Sequence, residues 1–300
     1  MPEGRLAGRA AIVTGASRGI GKAIAEAFAG EGAAVCVAAR SERVWDPRLP
    51  GTIHETAAGI EERGGRAVAV AADLSRPQDV ERLVEQARDA LGPIDLLVNN
   101  AALTVPGRPP EGPGPAATRP ARERAKTASR EREKPAPGGF LGFPLKGYRR
   151  HFEIGLFASY RLMQMVLPDM IAAGRGAIVN ISSLAAFLPG EGPYERPGRP
   201  QAFAYGGNKA ALHHLTQAVA FEVAAHGIAV NALSPSEPVL TPGNRVASAG
   251  ETDWASPEDF AEATLRLALV TPETCTGRIL WSEDVLHPER GPRGWLRELP

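Results

Sequence analysis

Hydrophobic and polar positions follow two rhythms along the chain. Short, continuous apolar runs occur at Ala10–Thr14, Ala34–Ala39, Ala67–Ala71, Ile94–Val98, Ala177–Ile181, Ile228–Leu233 and Arg278–Trp281. Their brevity and their Val, Ile and Ala content predict strands buried on both faces. Between them lie segments with a helical apolar stripe: Gly19–Glu31, Thr52–Arg63, Pro77–Leu91, Tyr148–Ala173, Tyr205–His226 and Pro257–Leu269. Ser256-Pro257-Glu258 marks the start of the last one, with Ser as N-cap and Pro at the first helical position. Alternation of this kind predicts right-handed strand–helix–strand crossovers and an α/β fold with helices on both faces of a parallel sheet.

The pattern breaks twice. Between Val105 and Phe140 there is no large apolar side chain, and Thr104–Gly139 carries eight Arg or Lys and four Glu. Glycine and proline together make up a fifth of the 300 residues, against roughly 12% in ordinary proteins. Fifteen of them fall in Thr104–Pro144 and seven in Pro189–Pro200. Such segments bury too little surface to offset their ordering entropy. We read 104–144 as a mobile insertion, with a transient helix over 121–134, and 189–200 as a second surface loop. The chain is then one domain over 1–300.

Charge and cysteine content narrow the class. The 34 basic and 34 acidic side chains cancel, so no strong field favours nucleic acid or an anionic membrane. The insertion's basic excess is modest and has no interleaved aromatics, so a solvated linker accounts for it better than a nucleic-acid arm. Cys36 and Cys275 are too few for a disulfide framework. No apolar run approaches the roughly 20 residues of a membrane helix, and the N-terminus has no secretory apolar stretch. A cytoplasmic location is the expectation.

The first predicted strand runs into Thr14-Gly15-Ala16-Ser17-Arg18-Gly19-Ile20-Gly21, followed at once by a helix. Glycines there allow a tight turn and close backbone approach to a pyrophosphate, which the helix N-terminus attracts. A plain glycine turn is the alternative, but its place between first strand and first helix points to dinucleotide binding and to a doubly wound Rossmann-type fold with a seven-stranded parallel sheet. A NAD enzyme usually places an acid after the second strand. Here Ala39 and Arg40 stand there, and Arg18 lies inside the glycine loop. Two guanidinium forks suit a 2′-phosphate, so NADP(H) is expected ahead of NAD; two solvated surface arginines are the alternative. Asp73, followed by Leu74, sits where a carboxylate accepts from an adenine amino group, or else caps the next turn.

Three further pieces follow in order. Asn99-Asn100-Ala101-Ala102 follows the fourth strand, Asn180-Ile181-Ser182-Ser183 ends the fifth, and Tyr205-Gly206-Gly207-Asn208-Lys209 opens the next helix. Tyr and Lys four apart share a helix face, and a nearby cation lowers a phenol's pKa toward the range of a general acid/base. In this order, after a glycine loop, the constellation resembles the short-chain dehydrogenase/reductase family over about residues 6–285. Within that family, Arg40, Leu49-Pro50-Gly51-Thr52-Ile53 and Trp281-Ser282-Glu283-Asp284-Val285-Leu286 are similar to the hydroxysteroid dehydrogenase-like branch.

The resemblance implies Ser183, Tyr205 and Lys209 as catalytic residues. It implies cofactor contacts from Gly15, Ala16, Ser17, Arg18, Gly19, Ile20, Gly21, Arg40, Asp73, Leu74, Asn100, Tyr205, Lys209, Pro235 and Thr241, with no metal. It also implies a homodimer or homotetramer formed through the helices at Tyr148–Ala173 and Tyr205–His226. Three departures stand out: Ser236 replaces the family's glycine after Pro235, the segment from Pro242 to Ala255 is short for a substrate lid, and Gly155 aligns with a family Asn. His213, His214 and His226 read as surface or interface residues, since adjacent helix positions point about 100° apart.

The expected activity is NADP(H)-dependent interconversion of a carbonyl and a secondary alcohol. Leu184-Ala185-Ala186-Phe187-Leu188 beside Ser183 suggests an apolar wall and a hydrophobic small-molecule substrate. The alternative from another class is a nucleotide-binding regulator or scaffold with little turnover. Deleting 106–139 and joining the ends with a short flexible linker should leave the fold and the cofactor affinity nearly intact. Circular dichroism and cofactor titration check this; a variant that fails to fold makes the segment structural.

Overall fold

The computed structural model describes residues 4–103, 140–187, 202–247 and 254–290. The transient helix proposed over 121–134, the loop at 189–200 and Leu188 lie outside them. Seven strands, β1 (Ala10–Thr14), β2 (Ala34–Ala39), β3 (Arg66–Ala71), β4 (Leu96–Asn99), β5 (Gly176–Ile181), β6 (Ile228–Ser234) and β7 (Ile279–Trp281), form one sheet in the order β3-β2-β1-β4-β5-β6-β7. All pairs are parallel, with Ala11 opposite Val35 on one side and Leu96 on the other. The order reverses at β1, which opens a crevice between the carboxyl ends of β1 and β4. Doubly wound sheets bind ligands at that point.

Alternate residues of β1 feed two separate cores. Ala11 and Val13 pack with Ile24 and Phe28 of α1 (Gly19–Gly30), Ile53 and Ile60 of α2 (Ile53–Glu62), and Phe260 of α8 (Pro257–Ala268). Ala10 and Ile12 pack with Val80 and Leu83 of α3 (Pro77–Leu91), and with Leu162 and Val166 of α5 (Ala158–Ala173). Local signals set several helix starts. Thr52 and Glu55 form a capping box, and the Ser256 hydroxyl accepts from the Glu258 and Asp259 amides.

The stripe over Tyr148–Ala173 is not one uniform helix. It starts earlier, as α4 (Leu145–Phe152), widens into a π-helical turn at Glu153–Phe157, and resumes as α5. Gly155 lies in that turn. The residues before α4 belong to the folded body, because the rings of Phe140 and Phe143 lie 5.6 Å and 5.0 Å from that of Phe203. Phe203 is in α6 (Ala202–Val223), which carries Tyr205 and Lys209 in its first two turns.

A polar chain ties this helix to the sheet. The Asn99 amide donates to Asn180 Oδ1 at 2.8 Å, Asn180 donates to Thr216 Oγ1 at 2.9 Å, and Thr216 donates to the Leu212 carbonyl at 2.7 Å. All three side chains are buried, so the ends of β4 and β5 are fixed against α6. Two short helices, α7 (Pro242–Ala247) and α9 (Ser282–Leu286), follow β6 and β7. Among the described residues no helix is long and apolar enough to cross a membrane.

Candidate active site

A cleft of about 710 Å³ runs along the carboxyl ends of β1, β2, β4, β5 and β6. Of the residues singled out in the sequence, Gly15, Ser17, Arg18, Gly19, Ile20, Gly21, Arg40, Asp73, Leu74, Asn100, Ser183, Tyr205, Lys209, Pro235 and Thr241 all line it. Ala16 does not. It is fully buried beneath the loop, where its N–H donates to the Ala38 carbonyl.

The glycine loop is shaped for close approach. Gly15 and Gly19 have φ of +69° and +55°, where a side chain strains the backbone. At Gly21 a Cβ would lie 2.4 Å from the Gly15 carbonyl oxygen, so only glycine lets α1 start against the turn. Neither a side-chain cap nor an acidic residue occupies the first turn of α1, which leaves its positive end available to an anion. Asn100 holds the loop to β4, donating through Nδ2 to the Thr14 carbonyl at 2.8 Å and through its amide to Thr14 Oγ1 at 3.0 Å.

At the end of β2 the Arg18 guanidinium donates to Ser41 Oγ and to the Gly51 carbonyl, both at 2.9 Å. Burial lowers its pKa, and repulsion from Arg40 adds to the effect. Arg18 Nε is buried and meets no acceptor among the described residues. Asp73 takes the capping role: its Oδ1 accepts from the Ser75 amide and hydroxyl. Burial alone would raise its pKa, but those bonds and the Arg40 and Arg150 charges hold it below the usual range.

Across the cleft, Ser183 Oγ accepts from the Ala185 amide at 3.2 Å, and the serine hydroxyl acts on the Tyr205 phenol to lower its pKa. Lys209 is 2% exposed. Its ammonium donates to the Ile181 carbonyl at 2.5 Å and lies 5.9 Å from the centre of the Tyr205 ring. Burial lowers its pKa to about 8. The lowered phenol pKa expected from the sequence is absent from this arrangement. Burial pushes Tyr205 upward and only the Ser183 bond opposes it, because the ammonium is directed at a backbone carbonyl.

Several neighbours were not foreseen. His213 is buried, with Nε2 2.5 Å from Ser182 Oγ, and burial followed by the Lys209 charge lowers its pKa to about 4. It is therefore no surface residue. The neutral ring stays hidden because Ser182 partners it and Phe187 packs on it. His151, also buried, meets the Tyr205 ring edge-on at 6.2 Å. Of the expected apolar wall, Leu184 and Ala185 face the cleft, whereas Phe187 turns to His213 and Trp281. Trp45, Ile154, Val239 and Trp254 add to the lining. Lone aromatics in polar loops, Trp45 and Trp254, were the available signal for two of these. Ser236 has a structural use, since its Oγ accepts from the Glu283 amide and fastens α9 to the end of β6.

The sequence matches the short chain dehydrogenase family over residues 9–119 and 135–251, an interruption inside the 104–144 segment. A 7α-hydroxysteroid dehydrogenase of Escherichia coli is 30% identical over 286 residues, covering 92% of this chain and 93% of that protein. A solved structure of a 7α-hydroxysteroid dehydrogenase with NADH and 7-oxo glycochenodeoxycholic acid has a TM-score of 0.69 at 29% identity, covering 92% of this chain and 93% of the other. A candidate NAD(P)-dependent gluconate 5-dehydrogenase from Beutenbergia cavernae, with NADP at low occupancy, has a TM-score of 0.68 at 30% identity and covers 94% and 98%. With the family match spanning most of the sequence and a relative 30% identical along nearly its whole length, the chain belongs to the short-chain dehydrogenase family of oxidoreductases.

Proposed function

We propose that this protein interconverts a carbonyl and a secondary alcohol on a hydrophobic small molecule, using NADP(H). The observation that carries the reading is the meeting of Ser183, Tyr205 and Lys209 on the lining of one cleft, with the serine hydroxyl close enough to the phenol to act on its pKa. When bound, the nicotinamide supplies or accepts the hydride.

The chain's own residues do the rest. Ser183 and Tyr205 hydroxyls bond the substrate oxygen, more strongly as negative charge develops on it. Tyr205 gives its phenolic proton to that oxygen in reduction and takes it back in oxidation. Lys209, held by the Ile181 carbonyl, sets the local field and would hold the cofactor's ribose when it binds.

The residues present fit the cofactor. The loop from Gly15 to Gly21, with Ala16 buried as its base, takes the pyrophosphate. Asp73 and Leu74 would border the adenine, and Asn100, Pro235 and Thr241, which also line the cleft, would border the nicotinamide side. The preference for NADP(H) follows from Ala39 in place of an acid, from two guanidiniums that repel each other, and from the unpartnered Arg18 Nε. The related structures carry NADH in one case and NADP in another, so the choice rests on this chain's residues. An apolar substrate suits the wall of Ile154, Leu184, Ala185, Val239 and Trp254. Phe157, Tyr160 and Phe221 are exposed on and beside α5 and α6, and we assign them to a homodimer or homotetramer contact.

Calorimetry tests the cofactor preference. NADPH should bind more tightly than NADH, and Arg40→Ala should cost about 1.5–3 kcal/mol of NADPH affinity while leaving NADH nearly unchanged. Equal dissociation constants for the two cofactors in the wild type would remove the assignment.

Stopped-flow hydride transfer over a carbonyl panel tests the chemistry. Tyr205→Phe should lower turnover by about 10²–10⁴ with NADPH binding within a few-fold of wild type. A phenol pKa raised by burial keeps Tyr205 protonated through neutral pH. Reduction should therefore proceed at neutral pH and fall on the alkaline side, whereas oxidation should gain as pH rises. Retained activity in Tyr205→Phe, or identical pH profiles in both directions, contradicts the role given to Tyr205.

A further inference from the structure

Beside the reacting groups is a carboxamide that the chemistry above does not use. Asn208 lies between Tyr205 and Lys209 on α6 and is 2% exposed. Its Nδ2 donates to the Ala204 carbonyl at 3.1 Å and to the Tyr205 carbonyl at 2.7 Å. The acceptor, Oδ1, is buried and meets no donor among the described residues. A Cβ built on Gly155 would lie 2.2 Å from that oxygen and 3.1 Å from Cγ. Real Cβ atoms essentially never come so close. The amide of α6 thus fills the space that a side chain at 155 would enter, and it does so at the π-helical turn Glu153–Phe157.

We infer that Asn208 is a positioning residue for Tyr205 and Lys209, and that glycine at 155 is what admits it. An apolar side chain of similar size would fill the same space without burying an unpaired acceptor, so packing alone does not account for an amide here. A side chain bonded to carbonyls three and four residues back bends or stiffens a helix locally. The bonded carbonyl here belongs to Tyr205 itself, and the next residue is Lys209. Asn208 therefore fixes the spacing between phenol and ammonium. The π-turn is part of the same device: Ser159 donates to the Gly155 carbonyl at 3.2 Å, giving that carbonyl a side-chain partner where the helix widens.

A consequence is specific to this chain. Placing the family's asparagine at 155 alone would lower activity, because its Cβ collides with Asn208. The two positions are exchangeable only together.

This inference rests on the proposed chemistry, and the experiment separates the two. Asn208→Ala, Gly155→Ala and the double variant are compared with wild type in kcat, the pH profile of kcat, NADPH affinity and Tm. We expect Asn208→Ala and Gly155→Ala each to lower kcat by about 10- to 100-fold, the cost of small misplacements of reacting groups, with NADPH affinity within about threefold. The double variant should be no worse than Asn208→Ala alone, because the added Cβ then has nothing to displace. Gly155→Asn with Asn208→Ser should recover most of the activity that Gly155→Asn loses.

Unchanged kcat and pH profile in Asn208→Ala, or additive losses in the double variant, overturn the inference, as does a fall in Tm with kinetics unaltered. Should a single variant fail to fold, Asn208→Ser supplies the same comparison. If wild type turns over no carbonyl, the oxidoreductase reading fails, and the Tyr205 titration followed by NMR of ring-labelled tyrosine, assigned with Tyr205→Phe, decides the positioning role. A midpoint displaced in Asn208→Ala, by a changed setting of the ring, supports it and an unmoved midpoint overturns it.

Discussion

A single buried ammonium constrains the carboxyl end of this sheet. Lys209 is almost wholly out of water, yet it must carry or shed a proton there, and its environment offers one carbonyl, that of Ile181. Burying a charge with so little compensation is costly, and its lowered pKa expresses the cost. The surroundings limit that cost by being rigid. The Asn99–Asn180–Thr216 chain fixes β4 and β5 against α6, and the Ser182–His213 pair lies one residue beyond the carbonyl that accepts from Lys209. His213 stays neutral there, because burial and the neighbouring lysine charge both oppose its protonation.

The same sheet end builds the rest of the cleft. Reversal of strand order between β1 and β4 separates two crossovers and leaves a crevice that the glycine loop edges. Asn100 reaches from the end of β4 to the start of that loop, so the turn before α1 and β4 are one hydrogen-bonded unit. On the far side Arg18 spans from the loop to Ser41 and Gly51, joining the glycine loop to the β2–α2 connection.

Much of this was legible in the sequence, for identifiable reasons. β1 and β2 fall where the apolar runs stand, because strands buried on both faces leave an unmistakable continuous pattern. Ser183, Tyr205 and Lys209 were legible from order and spacing, since the sheet topology brings successive strand ends together. What escaped depends on which distant segments meet. The burial of His213 requires knowing that Ser182 and Phe187 face it, and the break at Gly155 requires knowing that Asn208 points at it. Periodicity describes one helix at a time and has no view of its neighbour. Asp73 was legible only as a choice between two roles, and its bonds to Ser75 supply the turn cap.

The dependence on Lys209 is open to direct measurement through stability against pH, in a Tyr205→Phe background where the phenol cannot titrate. Below pH 8 the lysine is protonated in both folded and unfolded chains, so the folded state carries the full burial cost. Between about 8 and the ordinary 10.5 the folded chain has released the proton while the unfolded chain retains it, so stability must rise with pH. Chemical unfolding of this protein and of its Lys209→Met counterpart should show the difference moving in favour of lysine by roughly 3 kcal/mol from pH 7 to pH 11, at about 1.4 kcal/mol per pKa unit. A difference that stays flat across that range, or moves in favour of methionine, would contradict a buried ammonium at the centre of this site.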